Sequence, residues 1–131
     1  MSKKILLVED DPSTVEVYRT AFEIVGFEVE VLFSGDDGMA RIKEIEKGKA
    51  EKPDLILLDY VLPGPDGVEI LKEIRKNKNT KDIKVFITTN YSIEQLKQKK
   101  KVIVKGERFI LKADYPPSKM TALIQKELKQ S

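Results

Sequence analysis

A doubly wound α/β domain with a parallel sheet is the fold class this sequence predicts, on three observations. Short apolar runs alternate with segments of helical periodicity five times along the chain. One run, Leu55-Ile56-Leu57-Leu58, is apolar at every position, as a strand covered on both faces must be. Two runs end in acids: Ile5-Leu6-Leu7-Val8 enters Glu9-Asp10-Asp11, and the Leu55 run enters Asp59.

The elements follow in order. After the first strand, Asp11-Pro12 supplies an N-cap and a proline suited to the first helical position, and Tyr18, Ala21, Phe22 and Val25 form a stripe that Gly26 ends. Phe27-Glu28-Val29-Glu30-Val31 alternates with period two, which predicts a strand near a sheet edge. Ser34-Gly35 leads into a second helix with Met39, Ile42 and Ile45 inward before Gly48. The uninterrupted Leu55 strand is therefore more central. Beyond the turn-rich Pro63-Gly64-Pro65-Asp66-Gly67, the positions Val68, Ile70, Leu71 and Ile74 predict a third helix, and Ile83 to Thr88 a fourth strand. From Ser92 to Lys105, Ile93, Leu96 and Ile103 can share a helical face, whereas Val102-Ile103-Val104 before Lys105-Gly106 reads equally as a strand turning into Phe109-Ile110-Leu111. We expect the helix. Pro116-Pro117-Ser118 opens a last helix with Met120, Leu123, Ile124 and Leu128 on one stripe.

With 131 residues and 40% hydrophobic content, the chain is expected to form one domain over 1–131. Its 24 basic and 22 acidic residues leave a net charge of +2, which argues neither for a nucleic-acid partner nor for a membrane surface. Zero cysteines exclude disulfides and thiolate chemistry, and zero histidines exclude imidazole bases and phosphohistidine on this chain. No apolar run approaches the roughly 20 residues that span a bilayer. Met1-Ser2-Lys3-Lys4 leads straight into a strand, so a cytoplasmic location is expected.

Right-handed crossovers gather the loops that follow the strands at one edge of such a sheet, where open α/β folds do their chemistry. Those tips carry Glu9, Asp10 and Asp11, then Asp59, then Thr89-Asn90, then Lys112. Carboxylates crowded in a partly desolvated cleft either protonate or hold a cation, and an all-oxygen donor set points to Mg²⁺. With a divalent cation present, Asp59 is the natural nucleophile for a phosphoryl group. The Thr89 hydroxyl and the Lys112 ammonium can then each meet a phosphoryl oxygen.

Taken singly, each residue has a plainer reading. Asp10 or Asp11 before Pro12 is an N-cap, Asp59 ends a strand, Thr89 and Lys112 are polar residues at loop starts, and Phe109 is a core aromatic. We give Asp11 to the cap and Asp10 to the metal.

Together, Ile5 to Asp11, Asp54 to Asp59, Pro63 to Gly67, Val85 to Thr89 and Phe109 to Lys112 resemble a two-component response-regulator receiver domain, of the CheY-like superfamily, over nearly the whole chain. The resemblance implies a flavodoxin-like (βα)5 domain with strand order 2-1-3-4-5. It implies that Asp59 accepts phosphate from a histidine kinase or histidine phosphotransfer protein, that Asp10 binds Mg²⁺ directly, that Glu9 acts mostly through water, and that the Val61 carbonyl completes the ligands. Thr89 resembles the switch hydroxyl, Phe109 the aromatic that rotates with it, and Lys112 the phosphate-contacting lysine. Tyr91 and Val61 stand where such domains border the path of the attacking water.

The implied role is a signalling phosphoacceptor rather than an enzyme, changing the surface around the fourth helix and fifth strand for a downstream protein target. A monomer or a phosphorylation-dependent dimer is expected. No DNA-binding segment follows, so direct nucleic-acid contact is not expected: the chain reads as stand-alone, or as a fragment of a longer regulator.

The sequence departs from the family pattern at Ala113 in place of a common proline, Asn90 in place of a small residue, Lys84 in place of a proline, and the basic stretch Lys97 to Arg108. A solvated face is the plainer reading of that stretch. The alternative function is a phosphorylation-independent pseudo-receiver, which a missing acceptor, acid pair or lysine would favour. A Mg²⁺-dependent hydrolase needs a second acid where Val61 stands, and a flavodoxin-like cofactor carrier needs a phosphate cradle where Glu9-Asp10-Asp11 would repel one.

Overall fold

Five parallel strands lie in the order β2-β1-β3-β4-β5, so the doubly wound α/β expectation and its strand order both hold in the structure, a computed structural model that describes residues 2–129. They are β1 (Lys4–Val8), β2 (Glu28–Leu32), β3 (Leu55–Asp59), β4 (Lys84–Thr89) and β5 (Arg108–Leu111). The helices that return between them are α1 (Pro12–Ile24), α2 (Gly35–Glu46), α3 (Gly67–Lys76), α4 (Ile93–Gln98) and α5 (Pro117–Glu127), with a 3-10 turn over Lys112–Asp114.

The all-apolar run becomes the central strand, and all five residues of β3 are buried. Alternate side chains serve opposite layers, as the pleat requires. Leu6, Val8, Ile56, Leu58 and Ile87 pack with Ile42, Ile45, Ile70, Leu71 and Ile74 beneath α2 and α3. Ile5, Leu7, Leu55, Leu57 and Phe86 pack with Val15, Tyr18, Phe22, Met120 and Ile124 beneath α1 and α5.

Local chemistry sets the helix starts. Asp11 caps α1 by accepting from the Thr14 amide at 3.1 Å, and Asp66 and Glu69 form a reciprocal capping box at α3. Gly35 opens α2 because a Cβ there would lie 1.8 Å from the Pro65 carbonyl oxygen, and its amide donates to Pro63 O at 2.9 Å. This contact joins the start of α2 to the loop that follows β3.

Three expectations need correction. The stripe of α1 runs through Val15, Tyr18 and Phe22, whereas Val25 lies beyond the helix and is 36% exposed. The fourth strand begins at Lys84 rather than Ile83, which is buried just before it. The region from Ser92 to Lys105 is neither one long helix nor a helix followed by a strand: α4 ends at Gln98 and buries only Leu96. Lys100 adopts φ 56, and the Lys101 amide donates back to Leu96 O at 2.9 Å, so the helix closes on a left-handed lysine where glycine is usual. Ile103 and Val104 then pack against the core without joining a ladder.

Arg75 anchors the far end of this region. Its Nε and one terminal nitrogen donate to the two Glu107 oxygens at 2.8 and 2.9 Å, and its other nitrogen donates to Lys81 O and Ile83 O at 2.8 and 2.6 Å. Among the described residues, no helix is long and apolar enough to cross a membrane.

Candidate functional site: an acidic cleft at three strand ends

Glu9, Asp59 and Lys112 meet because β1, β3 and β5 all end at the same edge of the sheet. The Glu9 amide continues the β1 ladder to Leu32 O at 3.0 Å, which turns its carboxylate inward until it is only 2% exposed. Asp59 is the last residue of β3 and is 6% exposed. Lys112 begins the 3-10 turn after β5 and reaches back, its Nζ 2.7 Å from Glu9 Oε1 and 3.3 Å from Asp59 Oδ1. The other Glu9 oxygen accepts from the Asp11 amide at 3.1 Å, so both of its oxygens are engaged.

Carboxylate oxygens of Glu9, Asp10 and Asp59 lie within 4.8 Å of one another, with Asp10 exposed. Burial first, and then the Glu9 charge, push the Asp59 carboxyl from 3.8 up to about 7, against the opposing effect of Lys112. Lys112 itself is disfavoured as a cation by burial, yet its bond to Glu9 and the charges of Asp59 and Glu9 outweigh this and raise its pKa. Asp11 is held as a carboxylate by Thr14 and stands as the α1 cap.

A cleft of about 300 Å³ opens over this cluster, lined by Glu9, Asp10, Asp59, Val61, Asn90 and Lys112 among others. An all-oxygen acid cluster with one member carrying a strongly raised pKa can do one of two things at neutral pH: keep a proton on Asp59, or hold a hard divalent cation.

Thr89 and Phe109 are placed elsewhere. The buried Thr89 hydroxyl oxygen accepts from the Tyr91 amide at 2.9 Å, and Thr89, Tyr91 and Phe109 line a separate cleft of about 280 Å³ between α4 and β5. Of the expected site residues, the acidic cleft therefore gathers Glu9, Asp10, Asp59, Val61 and Lys112, while Thr89 and Phe109 form a second group on its neighbour's wall.

Sequence reasoning passed over Tyr60 and the packing of the start of α2 against the loop after β3. Tyr60 is 5% exposed, its ring 6.0 Å from that of Phe109 and its hydroxyl 2.6 Å from Val102 O. The available signal was an aromatic hydroxyl placed directly after Asp59, the acid that ends an aliphatic run. Gly64, at φ 80, lies so close to α2 that a Cβ would meet the Asp36 carboxylate at 2.6 Å, a contact no local pattern announces.

The family model described as the response regulator receiver domain matches residues 5–125. Over 63 residues the chain is 38% identical to the alkaline phosphatase synthesis transcriptional regulatory protein PhoP of Bacillus subtilis (strain 168), covering 48% of this chain and 24% of that protein. The chain thus spans about a quarter of the length of the curated relatives it matches. The phosphorylated cyanobacterial phytochrome response regulator RcpA is similar at a TM-score of 0.76 and 27% identity, covering 99% of this chain and 96% of that one. The receiver domain of sensor histidine kinase PA1611 from Pseudomonas aeruginosa PAO1, solved with magnesium in its active-site cleft, reaches a TM-score of 0.80 at 22% identity over 99% and 100% of the two chains, a likeness of fold.

Proposed function

The chain belongs to the response regulator receiver domain family, and from that premise we propose that it works as a phosphoaccepting switch in a two-component relay, with Asp59 as the acceptor. The single observation that carries this reading is the Lys112 ammonium lying between Glu9 and Asp59, at 2.7 and 3.3 Å, in an acidic cleft that also contains Asp10.

Receiver domains are signalling phosphoacceptor domains that bind Mg²⁺ at their acidic site, and the residues here suit that ion. The donors are all oxygens, three carboxylates come within 4.8 Å, and Asp59 is strained as a free anion. Asp10 and Asp59 would hold it directly, Glu9 through water because its own oxygens are already bonded, and Val61 through its carbonyl. When bound, the ion supplies neutralisation of the charge on the transferring phosphoryl group.

The chain's own residues do the rest. An Asp59 carboxylate oxygen forms a bond to phosphorus as the nitrogen–phosphorus bond of a partner's phosphohistidine breaks, and the electron pair leaves with the imidazole. Lys112 exchanges its contact with Asp59 for one with a phosphoryl oxygen. Thr89 turns its hydroxyl from the neighbouring cleft toward the phosphoryl group, and Phe109 moves into the space this opens. The new charge thereby biases the surface around α4 and β5. Water later attacks phosphorus, releasing phosphate and restoring the carboxylate, with Val61 and Tyr91 setting the lifetime. Receiver domains act with histidine kinases and downstream targets; for this chain we assign a histidine kinase or phosphotransfer protein as donor and a protein as target.

The test is incubation with acetyl phosphate, with and without Mg²⁺, read by intact mass beside Asp59→Asn. A Mg²⁺-dependent phosphoryl adduct absent from the variant is the expected result. No adduct, together with no binding of the stable mimic beryllofluoride, would overturn this reading in favour of a phosphorylation-independent module.

A further inference from the structure

Tyr60 directly follows Asp59 and is held on every side. Its amide donates to Thr88 O at 2.8 Å and its carbonyl accepts from the Gly67 amide at 2.9 Å, which fixes its backbone between β4 and the start of α3. The ring lies against Phe109, with centroids 6.0 Å apart and planes at 50°. The hydroxyl crosses 42 positions of sequence to donate to Val102 O at 2.6 Å. Val102 belongs to the stretch between α4 and β5 that joins no ladder, and the residue is 52% exposed. A stretch carrying exposed Lys99, Lys100, Lys101 and Lys105 is thus tied to the residue beside the acceptor by one short hydrogen bond.

We propose that Tyr60 is a positioning residue of the switch, its hydroxyl latching the α4–β5 stretch at Val102 in the arrangement that accompanies unmodified Asp59. This rests on the reading of Asp59 as acceptor. Phe109 lies against the Tyr60 ring and shares a cleft with Thr89, so movement of Phe109 toward β4 disturbs the ring. At 2.6 Å from its acceptor the hydroxyl sits at the short end of the hydrogen-bond range, so a displacement of the ring away from Val102 lengthens the bond and weakens it. The displacement then passes to the lysine-bearing stretch. Linkage is reciprocal: if occupancy at Asp59 weakens the bond, the bond must weaken occupancy at Asp59 by the same factor.

That reciprocity supplies a readout that a purely structural tie would not move. Tyr60→Phe keeps the ring and removes only the hydroxyl. Titration of the full chain with Mg²⁺ and beryllofluoride, followed by fluorine NMR, is expected to show binding about threefold to tenfold tighter in Tyr60→Phe than in the wild type, the range one ordinary hydrogen bond supplies. Amide exchange from Val102 to Lys105 in the ligand-free variant is expected to rise to the level the wild type shows only with beryllofluoride. Equal or weaker affinity in the variant overturns the latch, whether or not exchange in the stretch changes. Failure of the wild type to bind removes the acceptor reading and the latch with it, whereas equal binding by both proteins removes the latch alone. Tyr60→Met, which fills the buried space without a hydroxyl, gives the same comparison if Tyr60→Phe does not fold.

Discussion

The backbone amide of Tyr91 donates to the hydroxyl oxygen of Thr89 at 2.9 Å and so holds that hydroxyl on the wall it shares with Phe109, outside the acidic cleft. Thr89 is thereby already engaged, and in the proposed switch its movement would exchange this bond for a charge-assisted one. Thr89→Val keeps the shape and deletes the hydroxyl. It is expected to bind beryllofluoride about tenfold more weakly and to lose about 1 kcal/mol of ligand-free stability, while Thr89→Ser retains both. Calorimetric titration and chemical denaturation of the two variants check this, and undiminished affinity in Thr89→Val would remove Thr89 from the switch.

Asp59 sets a pH dependence. Because burial raises its carboxyl to about 7, the folded chain holds that proton more tightly than the unfolded chain, whose carboxyl has the ordinary 3.8. The stability this contributes is complete below the ordinary value and is lost as the pH rises through about 7. In metal-free buffer Asp59→Asn, which cannot ionise, is expected to match the wild type near the acid end of that window. Above it the variant should be more stable by on the order of 2 kcal/mol. Thermal melts across the window decide; a difference independent of pH would mean that Asp59 ionises normally.

Lys112 contacts Glu9 and Asp59, two of the carboxylates that would hold a cation. Lys112→Met is expected to bind Mg²⁺ several-fold more tightly, roughly threefold to tenfold, because a positive charge leaves the cleft. The metal-free variant is expected to lose on the order of 2 kcal/mol, since Glu9 and Asp59 then face each other without a counter-charge. Magnesium titration beside melts with and without the ion measures both. Weaker Mg²⁺ binding would indicate that the lysine organises the carboxylates rather than opposing the ion.

Gly35 places the loop that follows β3. A methyl group at this position would meet the Pro65 carbonyl oxygen at 1.8 Å, so backbone must move. Gly35→Ala is expected to cost on the order of 2–3 kcal/mol and to weaken Mg²⁺ binding through displacement of the loop bearing Val61. Gly48, at φ 73 with nothing within 4 Å of its would-be Cβ, is the control. Gly48→Ala carries backbone strain alone, about 1 kcal/mol, and should leave Mg²⁺ affinity unchanged. Denaturation and magnesium titration of the pair separate the two effects.

The parallel sheet and the acid-bearing strand ends were legible because each rests on local pattern, whereas the strand order followed from the family resemblance. Leu55 to Leu58 can be buried on both faces only in a central strand, and Asp59 must then emerge at the strand's end. What could not be read depends on contacts between distant segments. Val102-Ile103-Val104 suited either a helix or a strand, yet its apolar residues pack without a ladder, and α4 stops at a left-handed lysine that carries no local signal. The tie from Tyr60 to Val102 and the fit of Gly35 against Pro65 likewise join segments far apart in sequence. Thr89 was expected just past the fourth strand and proves to be its last residue, and the direction of its hydroxyl depends on the Tyr91 amide, which no local pattern announces.

The shortness of α4 has an energetic consequence of its own. Six residues held by the Ser92–Gln95 capping box, with Leu96 alone buried, open at far smaller cost than α3, which buries five residues along its length. Trypsin, which cuts after lysine, should therefore nick the chain first among Lys97, Lys99, Lys100 and Lys101 while the sheet stays intact. The same low opening free energy bounds the work a binding partner must do to remould this face.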